Sequence, residues 1–212
     1  MDGKRIAFLG DSITCGACLR KGEESYVDRI TKSCPRAKVF RYGEPGSRIG
    51  SYIGEDPRKI GPSFVERFRR MDKELDIVVV FGGTNDYGIG NAPLGTMAER
   101  TPETFCGAWN LLAEGLLAIY PRSRLLFVTP LHRRGEEMPN AFSGAVFSDY
   151  VDVIRTAAKR HGADLLDLYA AASLQPNAHY YSTLILEDGI HPGAKGHRVI
   201  AGEFLAYLYP NT

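Results

Sequence analysis

Near its amino terminus the chain reads Ile6-Ala7-Phe8-Leu9-Gly10-Asp11-Ser12-Ile13-Thr14. The first four residues are apolar, which is typical of a parallel strand that is covered on both faces. The turn after such a strand lies at the edge of the sheet where open α/β proteins place their chemistry. Ser12 in this turn either exposes its hydroxyl for chemistry or caps the helix that follows, and this stretch alone leaves both interpretations open.

Strand and helix patterns alternate along the rest of the chain. Apolar, strand-like runs cover residues 4–9, 38–42, 76–81, 124–129 and 163–168. Helical patterns cover residues 26–33, 62–73, 102–120, 148–161 and 194–209, and the third opens with the capping signal Thr101-Pro102-Glu103-Thr104. This alternation predicts an α/β fold with parallel strands, right-handed crossovers and three layers. The length of 212 residues fits a single domain spanning residues 1–212.

Composition and charge argue against several classes of partner. The chain has 26 basic and 25 acidic residues and a formal net charge of +1, so no basic field for nucleic acid stands out. Arg67, Arg69, Arg70 and Lys73 form a local cluster that is typical of a solvated helix face. No apolar run approaches the roughly 20 residues of a membrane span. We therefore expect a cytoplasmic protein that neither binds nucleic acid nor inserts into a membrane.

The four cysteines do not form a recognisable metal site or disulfide framework. Cys15 and Cys18 have the C-x-x-C spacing of redox and metal motifs, but Cys34 and Cys106 do not supply the second close pair that a thiolate zinc site requires. We therefore expect no metal and no disulfide network, and interpret Cys15 and Cys18 as small residues beside a turn.

A candidate base lies near the carboxyl terminus, in Asp188-Gly189-Ile190-His191-Pro192. If Asp188 accepts the Nδ1 proton of His191, Nε2 is free to act as a base for Ser12. A solvated surface turn is the alternative for this segment, and Asp167, at the end of the fifth predicted strand, is the rival carboxylate for His191.

Two further turns could stabilise a negative charge on oxygen. Gly82-Gly83-Thr84-Asn85-Asp86 follows the third strand, and the Asn85 amide is a suitable neutral donor. Gly46, after the second strand, could offer a backbone N–H to the same oxygen. Ordinary turn residues are the alternative at both positions. Asp11 and Asp86 are expected to brace their turns by hydrogen bonds.

The chain resembles the SGNH hydrolases, a branch of the GDSL esterases and lipases. The resemblance rests on four blocks in family order: Gly10-Asp11-Ser12-Ile13-Thr14, Gly46, Gly83-Thr84-Asn85-Asp86 and Asp188-Gly189-Ile190-His191-Pro192. It implies a flavodoxin-like sandwich with strand order 2-1-3-4-5 and no metal or organic cofactor. One departure concerns Arg41-Tyr42-Gly43-Glu44-Pro45-Gly46, which lacks the asparagine that the family usually carries shortly before the glycine.

The same resemblance implies the roles of the site residues. Ser12 is then the nucleophile, His191 the general base and later the acid, and Asp188 the carboxylate that orients His191. The oxyanion donors are the Ser12 N–H, the Gly46 N–H and the Asn85 side chain.

The sequence says less about the substrate. The loop at residues 87–101 is the expected specificity element, with Ile89 and Leu94 contacting substrate, and His132 is a further candidate contact after the fourth strand. We expect a small-molecule acyl ester, acetyl or another short acyl group, with esters of carbohydrates included. A thioesterase or lysophospholipase, a catalytically silent carbohydrate- or acyl-binding module and a phosphate-binding domain of this fold are the alternatives.

Overall fold

The computed structural model describes residues 3–51, 53–54, 61–176 and 181–209. Its strands are β1 (Arg5–Gly10), β2 (Lys38–Gly43), β3 (Ile77–Phe81), β4 (Arg124–Val128) and β5 (Asp164–Leu166). They form a parallel sheet in the order β2-β1-β3-β4-β5. The predicted fold class and strand order are confirmed.

Helices cover both faces of this sheet. They are α1 (Ser12–Cys15), α2 (Tyr26–Ser33), α3 (Phe64–Arg67), α4 (Thr84–Ile89), α5 (Phe105–Ile119), α6 (Phe147–His161) and α7 (Ala194–Leu208). Helices α2 and α7 pack together on one face, and α5 and α6 pack together on the other. None of the helices in the described part of the chain combines the length and the apolar character needed to cross a bilayer.

The apolar run of β1 explains the two-sided core. Ile6 and Phe8 lie in the core beneath α2 and α7, whereas Ala7 and Leu9 lie in the core beneath α5 and α6. Successive side chains of a strand point to opposite faces, so a strand with a helical layer on each side is apolar at every position. All four side chains are fully buried.

The strand register brings the candidate turns to one edge of the sheet. Gly10 pairs with Gly43 on β2 and with Phe81 on β3, so these three strands end at the same level. A Cβ atom on Gly43 would lie 2.4 Å from the backbone nitrogen of Cys15. Only glycine therefore lets α1 lie so close to the end of β2.

Two predicted helices are shorter than expected, and one was not predicted. The pattern at 62–73 forms only α3 and a 3₁₀ turn, Phe68–Arg70. Helix α5 begins at Phe105, because the hydroxyl of Thr104, rather than that of Thr101, accepts the N–H of Gly107 at 3.1 Å. Residues 84–89, expected as part of a turn and loop, form α4.

His197 on α7 is a packing residue, as expected. Its side chain is fully buried, its ring stacks on Tyr26, and its Nδ1 accepts the backbone N–H of Tyr26 at 3.2 Å. Its Nε2 has no hydrogen-bond partner among the described residues. Burial lowers the pKa of this histidine from 6.5 to about 4, so the ring is neutral in the folded protein.

This shift predicts a loss of stability in acid that depends on His197. Because the pKa of His197 is lower in the folded protein, only the unfolded chain binds a proton at His197 between pH 6.5 and about 4. The free energy of unfolding is therefore unaffected by this group above pH 6.5 and falls as the pH drops from 6.5 to about 4. His197→Asn keeps an acceptor for Tyr26 but cannot titrate. Urea unfolding at pH 7 and pH 4.5 should show a loss smaller by roughly 2 kcal/mol in this variant than in the wild type. Equal losses in the two proteins would contradict the assignment.

Candidate active site

Ser12 is the first residue of α1 and lies two residues after the end of β1. The carboxylate of Asp11 caps this short helix by accepting the N–H of Ile13 at 2.9 Å. The capping role that the sequence left open for Ser12 therefore belongs to Asp11, which braces the turn as expected. The Ser12 hydroxyl is instead directed to His191, and the residue is 6% exposed.

His191 and Asp188 meet Ser12 across the sheet edge. His191 Nε2 lies 2.9 Å from Ser12 Oγ, and His191 Nδ1 lies 2.6 Å from Asp188 Oδ2. An ionised Asp188 accepts the proton on Nδ1, which leaves Nε2 as the acceptor for the Ser12 hydroxyl. Ser12 lies far from Asp188 and His191 in the sequence, yet the three residues form one continuous chain of hydrogen bonds.

The backbone of the 188–191 turn keeps the carboxylate ionised. Asp188 Oδ1 accepts the N–H of Ile190 at 2.8 Å and that of His191 at 2.9 Å. Burial alone would raise the pKa of Asp188, but these N–H groups and the His191 ring outweigh it and hold that pKa below its ordinary value. Gly189 has a left-handed φ of 71°, which favours glycine at this corner.

Asp167, the rival carboxylate, is bound elsewhere. Its Oδ1 accepts the hydroxyl of Thr129 at 2.9 Å, and its Oδ2 accepts the Nε–H of Arg155 at 2.9 Å. These bonds attach β4 and α6 to the segment after β5. The structure therefore places Asp188, and not Asp167, against His191.

Helix α4 holds the loop that contains Gly46. The Asn85 amide donates one of its two N–H groups to the carbonyl of Ser47 at 3.0 Å. The buried carboxylate of Asp86 accepts the N–H groups of Ile49 at 2.9 Å and Gly50 at 3.2 Å, so it braces its surroundings as expected. Gly46 itself has a left-handed φ of 72°.

Burial also perturbs the two bracing carboxyls. It raises the pKa of Asp11 and that of Asp86 to about 6, against the lowering effect of the backbone N–H groups that each accepts.

Arg67 corrects the prediction of a wholly solvated basic cluster. The residue is only 5% exposed, and its guanidinium donates to the carbonyls of Tyr42, at 2.6 Å, and Gly10 and to the hydroxyl of Ser47, at 3.2 Å. It thus joins the ends of β1 and β2 to the loop beside Gly46. Its position three residues after the inward-facing Phe64 was the available signal, because such residues share a helix face.

Two cavities adjoin this edge of the sheet. The larger, of about 510 Å³, lies beside the turn that carries Asp188 and is lined by residues that include His132, Arg133, Tyr181, Ile185, Leu186 and Gly189. The smaller, of about 300 Å³, is lined by residues that include Tyr87, Gly88, Arg133, Met138, Asn140 and Phe142. Arg133 lines both.

Arg133 and Arg134 were not singled out as site residues from the sequence, and they connect the elements of the site. Arg133 donates to the carbonyl of Thr84 at 2.6 Å, at the start of the helix that carries Asn85. The backbone N–H of Arg134 donates to the carbonyl of Gly189 at 2.8 Å. The segment after β4 therefore bridges α4 and the Asp188 turn.

The three predicted substrate contacts have different surroundings. His132 lines the larger cavity, but its ring nitrogens lie 2.8 Å from a carboxylate oxygen of Glu136 and 3.0 Å from the carbonyl of Tyr169. Ile89 is half-buried and lines neither cavity. Leu94 packs against the core instead, because its carbonyl accepts the N–H of Cys106 at 2.9 Å and ties the loop to α5.

Several solved structures have the same fold, and their matches cover nearly the whole of this chain. A protein from Lactobacillus plantarum is 29% identical, with a TM-score of 0.83, and the match covers 100% of this chain and 99% of that one. A lipase/acylhydrolase from Enterococcus faecalis is 19% identical, with a TM-score of 0.65 and 99% of each chain covered. The acetyl xylan esterase AlAXEase is 18% identical, with a TM-score of 0.66 and coverage of 97% and 100%.

A comparison with curated proteins finds no match. The model of the GDSL-like lipase/acylhydrolase family matches residues 8–199, a span that contains Ser12, Gly46, Asn85, Asp188 and His191. Since this match covers most of the chain, the protein belongs to the GDSL-like lipase/acylhydrolase family.

Proposed function

We propose that this protein is a serine carboxylic-ester hydrolase that works through an acyl-enzyme on Ser12. The observation that carries the proposal is the unbroken hydrogen-bond chain from Ser12 Oγ to His191 to Asp188, with distances of 2.9 Å and 2.6 Å. Nucleophile, base and orienting carboxylate are the three groups that activation of a serine requires.

The first half-reaction forms the acyl-enzyme. Ser12 Oγ attacks the acyl carbonyl while His191 Nε2 takes the hydroxyl proton, and Asp188 stabilises the resulting imidazolium. The tetrahedral intermediate then collapses, the bond to the alcohol breaks, and His191 returns the proton to the leaving alkoxide.

The second half-reaction releases the acid. A water molecule gives a proton to His191 and attacks the acyl carbon. Collapse of the second intermediate breaks the bond to Ser12 Oγ, which recovers its proton. Water is consumed, and one alcohol and one carboxylic acid are formed.

The oxyanion is the second element of the proposal. Its donors are the N–H of Ser12, the N–H of Gly46 and the second N–H of the Asn85 amide. The bond from Asn85 to the carbonyl of Ser47 supports this assignment, because it aligns the amide with the loop that carries Gly46. Donors held in place before the charge forms stabilise a transition state most effectively.

Asn85→Ala should lower kcat by roughly 10²- to 10³-fold. KM should change little, because the charge on oxygen develops only in the transition state. Steady-state kinetics on an activated acetate ester, together with a thermal melt, make the measurement. A kcat within threefold of the wild type, or a change confined to KM and the melting temperature, would count against Asn85 as an oxyanion donor.

The proposed substrates are acetyl or other short acyl esters, including those of carbohydrates. The larger cavity supports an alcohol portion of modest size, since about 510 Å³ beside Gly189 combines apolar side chains such as Ile185 and Leu186 with charged ones. Rates on p-nitrophenyl esters from acetate to decanoate test the acyl preference. We expect the highest kcat/KM at the shortest chains, and a maximum at decanoate would overturn the short-acyl proposal.

A further inference from the structure

A thiol lies beside the proposed catalytic pair. The ligand atoms of Cys18, Asp188 and His191 all lie within 4.8 Å of one another. Cys18 follows α1 on the turn next to Ser12, and the N–H groups of Gly16 and Ala17 hold that turn by donating to the Ser12 carbonyl at 3.0 and 2.9 Å. The ester-hydrolysis mechanism gives Cys18 no role, so its position calls for a separate account.

The donor set has the chemistry of a zinc site. Thiolate, imidazole and carboxylate are the three side-chain ligands that Zn²⁺ prefers, whereas Mg²⁺ and Ca²⁺ prefer oxygen ligands alone. Zinc bonds of about 2.0–2.3 Å place the ligand atoms roughly 3–4 Å apart, so a pair of ligand atoms at the 4.8 Å limit must close by about 1 Å. Asp188 is held by its hydrogen bonds to the backbone of Ile190 and His191, whereas Cys18 is exposed, so the movement falls mainly to the Cys18 side chain.

We infer that Cys18, Asp188 and His191 form an inhibitory site for Zn²⁺. On binding, the Cys18 thiol loses its proton to solvent, and the metal takes an imidazole lone pair and a carboxylate that proton transfer to and from Ser12 requires. Three protein ligands leave a fourth position for water. Because Cys18 is exposed and the Asp188 side chain is 40% exposed, the metal is accessible from solvent, and we expect a chelator to restore activity. The inhibition rests on the proposed function, whereas the binding does not.

Cys15 provides a matched control. It belongs to the same C-x-x-C segment and is also a free thiol, yet it is not a member of the cluster with Asp188 and His191. Cys15→Ser and Cys18→Ser therefore make the same chemical change, the first outside the proposed site and the second at one of its ligands. Neither residue takes part in the proposed catalysis, so both variants should keep the basal activity.

Zinc titration of ester hydrolysis tests the inhibition. We expect the half-inhibitory Zn²⁺ concentration to rise at least about tenfold in Cys18→Ser, as loss of a metal-site interaction does. It should stay unchanged in Cys15→Ser, and Mg²⁺ should not inhibit any of the three proteins. Equal sensitivity of the wild type and Cys18→Ser to Zn²⁺ would overturn the inference.

Cobalt spectroscopy tests the site without any reference to activity. Co²⁺ added to the wild type and to Cys15→Ser should produce a thiolate-to-cobalt charge-transfer band that is absent from Cys18→Ser. The proposed metal site is contradicted if the wild type does not show this band, or if Cys18→Ser shows the same band. If the band behaves as expected but no ester is hydrolysed, the metal site stands and the proposed enzymatic function fails.

Discussion

Ser12→Ala should lower kcat on an activated acetate ester by roughly 10⁴- to 10⁶-fold, the range seen when a member of a serine triad is removed. Without Oγ, no acyl-enzyme can form, and His191 can act only on water. The free energy of unfolding should hardly change, because Asp11, and not Ser12, caps α1. Steady-state kinetics and urea unfolding of the same preparation measure both quantities.

Ser33→Ala is the matched control, since it removes an identical hydroxyl from an exposed position at the end of α2. It should retain the full activity. If Ser12→Ala keeps more than a few per cent of the wild-type kcat, or if Ser33→Ala loses as much, the serine mechanism is wrong.

Asp188→Asn should lower kcat by about 10⁴-fold, as replacement of the triad carboxylate by an amide does elsewhere. The amide oxygen can still accept the N–H groups of Ile190 and His191, so its NH₂ group faces His191 Nδ1. This arrangement favours the tautomer with a proton on Nε2, which then cannot accept the proton of Ser12. The same kinetic assay measures the loss.

Asp167→Asn makes the same chemical change at the rival carboxylate and serves as the control. Asp167 binds Thr129 and Arg155 rather than His191, so this variant should stay within a few-fold of the wild-type kcat, although it is expected to unfold more easily. A larger loss of kcat in Asp167→Asn than in Asp188→Asn would reverse the assignment of the orienting carboxylate.

The sheet was predictable from the sequence because its strands are covered on both faces. The runs that include Ile6 to Leu9 and Ile77 to Phe81 are apolar at every position, and the observed cores explain why. The candidate site was also predictable in part, from the parallel direction of the strands. Parallel strands end at a common edge, so turns that follow different strands, such as those of Ser12 and Asn85, are brought together.

Features that depend on long-range contacts were less accessible. Asp188 lies three residues from His191 and was paired with it from the sequence, whereas the contacts that bind Asp167 to Thr129 and Arg155 instead were not foreseen. The burial of Arg67 depends on carbonyls of Gly10 and Tyr42 that are distant in sequence. The packing of Leu94 against the core was not predicted, because a loop rich in Gly and Pro does not show which of its apolar residues will pack there.

The most direct test of the account is covalent labelling of the folded protein with a fluorophosphonate, followed by mass-spectrometric mapping of the peptides. Such a reagent reacts with a serine only when a neighbouring base and oxyanion donors activate it. The account predicts one label per chain, located on Ser12, with loss of hydrolysis in proportion to labelling and no label in Ser12→Ala. A folded wild-type protein whose Ser12 stays unmodified, whether unlabelled or labelled elsewhere, would contradict the account and favour a silent binding module of the same fold.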